Sequence, residues 1–313
     1  VLRTAASGLN GVSGALTFAT GTAKLGSSGL VEVLSGSATG GKGGDIRLAV
    51  GKGIGTDMIG GDIIATAGDV SAFTGGLIRV ATGKSDASSS GAIFIQSSNA
   101  GDLGVSGSLM FSTGTTSSGS SGYLKLASGN AVGGKAGDML VVLGTGDTGA
   151  GGDILMNAGA SSDSADGTGG AIRLTSGYGT QSSSGAVVLK SSNAGVGGVS
   201  GMLQFRTGEA SSGSSGSISL ATGNAAASGE GGNILLQVGS GTEGNGGGIS
   251  MVAGAITGTG IGGSISGTAG ASASTTGGSI NLLSGAGTAS SSGSIVLRTA
   301  ASGLNGVSGA LTF

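Results

Sequence analysis

Four aspartates carry the clearest chemical pattern in this chain. Asp45 and Asp62 directly follow the first glycine of two consecutive sequence repeats, and Asp138 and Asp153 occupy the same position in two later repeats. If consecutive repeats stack as β-strands, the two carboxylates of each pair lie about 4.8 Å apart. Carboxylate oxygens at such spacing suit Ca²⁺, which takes six to eight oxygen ligands. The aspartates are therefore candidate metal ligands, and Ca²⁺ is the cofactor they would hold.

The neighbouring residues favour a simpler interpretation. Lys42 and Lys135 lie three residues before Asp45 and Asp138 and can offset their charge. The stretch GGKGGDIRL, residues 40–48, is similar to the RTX calcium-binding nonapeptide, but its apolar residue is displaced by one place and the repeat is longer than nine residues. We mainly expect the four aspartates to be solvated or ion-paired. Calcium binding is the alternative, and no other cofactor is expected.

The composition excludes most other chemistry. The 313 residues include no His, Cys, Pro or Trp, so the commonest general base and the thiol nucleophile are missing. A net charge of −2 with scattered Lys and Arg gives no nucleic-acid-binding patch, and no apolar run is long enough to cross a membrane. The repeats are too short to wall a cleft, unlike the long coils of pectate-lyase-like β-helices. The sequence therefore predicts no enzyme.

The element that must position these residues is a repeat that occupies the whole chain. It reads Gly-x-Ile-x-Leu-x-x-Gly, followed by a stretch of Gly, Ser, Ala and Thr, and positions are counted here from its first glycine (position 0). Nineteen repeats start at Gly14, Gly29, Gly44, Gly61, Gly76, Gly91, Gly107, Gly122, Gly137, Gly152, Gly170, Gly185, Gly201, Gly216, Gly232, Gly247, Gly263, Gly278 and Gly293.

The pattern within each repeat predicts a β-strand. Position +2 is Ile, Leu, Val or Met in all 19 repeats, and position +4 is large and apolar in 17, which is the alternation of a strand. Position +7 is Gly in 16 repeats, such as Gly21 and Gly36, and suggests a corner with positive φ. We predict an all-β fold: a parallel β-solenoid, or β-helix, with 19 coils of about 15–16 residues.

A longer period is superimposed on the short one. Phe recurs at position +4 in Phe18, Phe111, Phe205 and Phe313, about six coils apart. The sequence predicts one continuous solenoid over residues 1–313, with internal blocks 14–106, 107–200 and 201–308. The first 18 residues, VLRTAASGLNGVSGALTF, also end the chain, which predicts an excerpt from a longer tandem array.

Large apolar residues also occur on the face that should point outward. Positions +1 and +3 carry one in 12 of the 19 repeats, and the predicted assembly face comprises Leu30, Ile64, Leu77, Phe94, Met110, Tyr123, Leu140, Leu155, Val188, Met202 and Leu235, with Val296 as the twelfth such residue. An apolar stripe of this length exceeds the usual exposed patch of a monomer. We expect other copies of the chain, or further segments of it, to cover this row.

Several strings resemble known repeats. SSNAGVGGVSGMLQF, TGTTSSGSSG, GGDI and SGYGTQSSSGAVVL are similar to repeats in the very large Gly/Ser-rich proteins of stramenopile algae. This resemblance implies an extracellular or cell-surface protein, such as a component of flagellar hairs (mastigonemes) or extracellular fibrils, and no catalytic residues. The Ser- and Thr-rich stretches are candidates for O-glycosylation.

These observations together predict a structural protein that forms the shaft of an extracellular filament. The runner-up is an adhesin or fibre-like stalk whose binding tip lies outside this segment. An ice-binding solenoid is third, since the coil length resembles an insect antifreeze family. That family presents Thr-x-Thr arrays, whereas outward pairs here include Ala15/Thr17 and Asp45/Arg47.

Overall fold

The computed structural model describes residues 1–9, 11–54, 59–163, 166–226 and 229–312. Within these ranges no residue lies in a helix or a β-strand. The predicted parallel β-solenoid, with its 19 stacked coils over residues 1–313, is therefore wrong. The described chain falls into two units, Val1–Asp153 and Ile154–Phe313, and both are built from the same repeated closed loop.

The absence of strands follows from where the backbone hydrogen bonds form. Twelve backbone–backbone hydrogen bonds occur among the described residues, and every donor is a glycine. A folded chain of this length would form roughly 200, since such bonds make up about two-thirds of about one hydrogen bond per residue. A strand exists only as part of a ladder, so an alternating sequence without ladder partners remains an irregular segment.

Each repeat contains one sharp change of direction. Bends or turns recur along the chain about once per repeat, for example at 24–26, 71–73, 117–119 and 211–213. Between them run stretches of about 12 residues without a bend, such as 27–38 and 89–101. The repeat length read from the sequence is therefore the spacing between successive bends.

Around each bend the chain returns to itself and closes a loop. The position 0 glycine of one repeat donates to the carbonyl oxygen of the +7 glycine of the preceding repeat, as in Gly76 to Gly68 (2.9 Å) and Gly278 to Gly270 (2.8 Å). Seven of the twelve backbone bonds have this form and join residues eight to eleven positions apart. Stacked coils would instead bring together residues 15–16 apart, and this local closure replaces that contact.

The remaining backbone bonds mark a second type of turn. Five of them join residues three apart, including Gly11 to Gly8, Gly104 to Gly101, Gly198 to Gly195 and Gly306 to Gly303, at 3.1–3.2 Å. Three of these turns lie in the repeats where Ser98, Ser192 and Ala300 replace the +7 glycine. A tighter turn thus appears where the usual hydrogen-bond acceptor glycine is missing.

Glycines with positive φ lie at the bends and not at position +7. Gly119 (φ 100°), Gly133 (φ 74°) and Gly213 (φ 107°) each fall within a bend. These angles lie in the left-handed region, where a side chain is strained, so glycine is needed there. Gly21 and Gly36, predicted to need positive φ, do not adopt it, so that prediction is wrong.

The described residues enclose no core. No described side chain is buried, and the accessible surface is 30989 Å². A folded monomer of 28.6 kDa exposes about 11,000 Å² and its extended chain about 41,000 Å². The single chain therefore leaves about three-quarters of its possible surface in contact with solvent. Contacts within the single chain remove only about a quarter of that surface from solvent.

Candidate assembly surface

The loop closures are the most regular contacts in the structure. In every repeat after the first, the position 0 glycine sits against the +6 residue of the preceding repeat; Gly14 meets Thr4 in the same way. A Cβ added to Gly76 would lie 3.0 Å from Gly68 N and 3.1 Å from Ala67 Cβ. Glycine is favoured at Gly76 because a side chain there would be in tight contact with the backbone of the preceding repeat.

Most of the partly shielded residues in the described part of the chain lie at position +6. Nine described residues are partly shielded, and seven of them are +6 residues or Thr4, namely Thr4, Ala67, Ser176, Thr207, Ala253, Ala269 and Ser284. Position +6 is occupied by Ala, Ser, Thr, Val or Leu throughout. A short or compact side chain there lets the following glycine approach, and this contact fixes where each exposed segment begins.

The segment between closures, positions +1 to +5, presents two rows of apolar side chains. The +2 residues are 51–65% exposed, whereas the twelve large apolar residues at +1 or +3 are 72–89% exposed. The two ranges do not overlap, but the large apolar +4 residues are 54–82% exposed and reach into the upper range. Position +2 is therefore the less exposed position, without a strict alternation along the segment. We call the twelve more exposed residues the outer row; Phe94, at 89%, is its most exposed member.

Consecutive segments do not fill the space between them. A cavity of about 360 Å³ lies between residues 126–128 of one repeat and 138–141 of the next. Leu126, Met139 and Val141 line it, and all three are more than half exposed. The +2 and +4 residues that were expected to form a solenoid interior therefore contact solvent.

A larger cavity separates more distant repeats of the first unit. Ser35 and residues 44–47 face Ala81 and Gly83 across a cavity of about 1180 Å³. These two groups of residues lie at loop closures three repeats apart. Asp45 and Arg47 belong to the lining, so this gap is polar where the gap beside Leu126 is apolar.

Two of the four candidate metal-ligating aspartates are paired with lysines. Lys42 Nζ lies 2.6 Å from an Asp45 carboxylate oxygen, and Lys135 Nζ lies 2.8 Å from an Asp138 carboxylate oxygen. All four side chains are more than two-thirds exposed. Asp62 and Asp153 were expected to stack beside them, and the coil stacking on which that expectation depended is absent.

No group of three or more acidic residues that could hold a metal ion occurs among the described residues. The same residues contain no helix long and apolar enough to span a membrane. Calcium binding by Asp45, Asp62, Asp138 and Asp153 stays a prediction. The role of the outer row as an assembly face also stays a prediction.

Sequence reasoning missed the role of positions 0 and +6. The signal was present, since position 0 is always glycine and position +6 is never charged or aromatic. The strand pattern places both positions within a coil, but it does not specify which two backbone segments approach each other. Comparisons with protein-family models, with curated proteins and with solved structures found no match for the chain.

Proposed function

We propose that the chain is a structural protein, a segment of the shaft of an extracellular filament, in which copies associate through the outer row. The observation that carries this proposal is the accessible surface of 30989 Å², together with the absence of any buried side chain among the described residues. An enzyme or a monomeric binding protein needs a fixed site, and fixed sites need a packed interior to hold them. Association supplies the burial that the single chain lacks.

The outer row is large enough to drive that association. Burying a Leu, Ile, Val, Phe or Met side chain contributes about 1.5–3 kcal/mol. Even the lower figure for each of twelve residues exceeds the roughly 4–15 kcal/mol lost in translational and rotational freedom when two chains associate. A net charge of −2 adds little repulsion between copies.

The repeat suits a shaft better than a compact assembly. In every repeat after the first, the position 0 glycine contacts the +6 residue of the preceding repeat, so repeats can be added or removed without disturbing the other contacts. The similarity of SSNAGVGGVSGMLQF and TGTTSSGSSG to repeats of stramenopile proteins supports an extracellular location and a mastigoneme-like or fibrillar setting. Partners are other copies of the chain, and the Ser-rich loops offer sites for O-glycans.

Two phenylalanines provide a matched test. Phe94 belongs to the outer row and is 89% exposed, whereas Phe73 lies in the 71–73 bend and is 88% exposed. We expect Phe94→Ser to raise the concentration needed for assembly about tenfold, since one buried aromatic is lost. Phe73→Ser should leave it unchanged. Sedimentation velocity and electron microscopy of the purified chain measure both.

The alternatives give different results. Equal effects of Phe94→Ser and Phe73→Ser would mean that association is non-specific and that the outer row is not an interface. Particles that stay monomeric at millimolar concentration would overturn the filament proposal and favour a stalk that presents a binding tip.

A further inference from the structure

We propose that the backbone of positions +1 to +6 in each repeat pairs with the same positions of a second copy of this chain, so that β-sheets form between chains. This inference rests on the proposed function, because it assumes that copies associate. It concerns a different surface, however. The outer row acts through side chains, whereas this pairing uses the peptide groups at the edges of each segment.

The described residues provide no partners for these peptide groups within one chain. None of the twelve backbone hydrogen bonds in the described residues uses an N–H or C=O at positions +1 to +6 of any repeat. No side chain of the described part bonds to them either. Association through the apolar side chains would remove water from these groups, and a desolvated peptide group without a partner is strongly unfavourable.

A second copy is the occupant that satisfies all of these groups together. The segments are rich in Ile, Leu and Val, and the chain contains no Pro, so every segment residue keeps its N–H donor. Exposed apolar segments of this kind are templates for pairing with another chain. Identical segments from different copies also place identical side chains above one another, as in tightly packed cross-β interfaces.

The spacing of the repeats fixes the register of the two copies. Most steps between position 0 glycines are 15 or 16 residues, but the step from Gly44 to Gly61 is 17 and the step from Gly152 to Gly170 is 18. A copy shifted by one repeat, or by six, would place these longer loops opposite shorter ones. Only copies aligned residue for residue match every loop, so the pairing is parallel and in register.

In-register pairing has an electrostatic consequence. Arg79, Lys125 and Arg173, all at position +3, would each lie opposite the same residue of the next copy, about 4.8 Å away. Like charges directly opposite one another in a sheet are unfavourable, and salt screens them. Assembly should therefore strengthen as salt concentration rises. If opposite charges lay opposite one another instead, assembly would weaken as salt concentration rises.

Proline at position +3 provides the decisive variant. Ser219, Ser250 and Ser266 occupy this position in three repeats of the second unit, and none belongs to the outer row. The triple variant Ser219→Pro, Ser250→Pro, Ser266→Pro removes three ladder N–H groups. The matched control, Ser219→Ala, Ser250→Ala, Ser266→Ala, loses the same hydroxyls and keeps the N–H groups.

Three measurements on the purified chain test the pairing. X-ray diffraction of aligned assemblies should give a reflection near 4.7–4.8 Å. Amide hydrogen exchange, read by peptide mass spectrometry, should show protection at positions +1 to +6 in assemblies and none in the dilute monomer. The proline variant should need at least about tenfold higher concentration to assemble, while the alanine control should stay within about twofold of the parent chain.

Each other result overturns the inference. Filaments without the 4.7–4.8 Å reflection, or equal assembly of the proline and alanine variants, would show that copies associate by side chains alone; the structural function would then stand. Protection already present in the dilute monomer would place the pairing within one chain. A chain that never assembles would refute the pairing together with the proposed function.

Discussion

Gly76→Ala is the sharpest test of the loop closure. Its new Cβ would lie 3.0 Å from Gly68 N, 3.1 Å from Ala67 Cβ and 3.4 Å from Gly68 O. Two of these contacts are tighter than ordinary van der Waals separations and involve backbone or a directly attached carbon, so neither neighbour can rotate away. The loop must open by several tenths of an ångström at the point where Gly76 N donates to Gly68 O over 2.9 Å.

The magnitude follows from the two interactions that are lost or strained. An intramolecular hydrogen bond contributes about 0.5–1.5 kcal/mol, and overpacking costs about 1–3 kcal/mol. We expect the closed loop to be destabilised by about 2 kcal/mol, or roughly thirtyfold in the ratio of closed to open loops. The closures of the other repeats should be unaffected, since each is made by its own residues.

Amide hydrogen exchange at position 76, followed by NMR on the dilute chain, measures this ratio. The parent Gly76 amide should exchange more slowly than an unbonded glycine, and the alanine amide of the Gly76→Ala variant should approach the rate of an unbonded alanine. Gly68→Ala is the matched control, because it alters the other end of the same hydrogen bond but its added Cβ meets nothing within 4 Å. Equal loss of protection at position 76 in the two variants would refute the close-approach argument.

Three further predictions concern single residues. Gly133→Ala should destabilise its bend by about 1 kcal/mol because Gly133 has φ 74°. Gly133→Asn should recover part of this loss, and chemical shifts of residues 130–136 measure both variants. Gly287→Ala should disrupt its loop, since the added Cβ would lie 2.5 Å from Ser291 O. Gly285→Ala should not disrupt the loop, because its added Cβ meets nothing within 4 Å. Limited proteolysis after residue 287 distinguishes the two variants. Lys135→Gln should change the concentration needed for assembly by less than about twofold. The side chains of Lys135 and Asp138 are 79% and 76% exposed, so water screens their ion pair. A tenfold change would contradict this prediction.

The sequence revealed the period and the special positions of the repeat, but not the contacts that those positions make. The sequence identifies Gly76 as the start of a repeat, and the alternation at Ile78 and Val80 predicts a strand. The +2 residues are less exposed than the outer row, yet none of the described residues lies in a strand. A periodic pattern does not specify the partner that a strand needs. A short apolar run describes one face of a sheet whether the next strand comes from the same chain or from another.

The glycine corner was misplaced for a related reason. Gly68 and Gly83 recur regularly, which suggested left-handed backbone, but their part is to offer a carbonyl oxygen to the next repeat. The left-handed glycines, such as Gly133 and Gly149, lie in the variable stretch between segments, where the sequence pattern is weakest. A recurring glycine can be needed for a positive φ, for the close approach of two backbone segments, or for neither. Recurrence alone does not distinguish these cases.

The serial closure of the loops has a mechanical consequence. The loop from Ala67 to Gly76 brings its ends together, although the same residues drawn straight would span about 30 Å. Pulling on the chain would open one loop at a time and lengthen the chain at each step, because each closure is broken separately and the neighbouring closures stay intact. A filament built on such links would stretch in many small steps under load and recover as the glycines return to their partners. Loops closed in this way would let a chain extend without cooperative unfolding of its repeats.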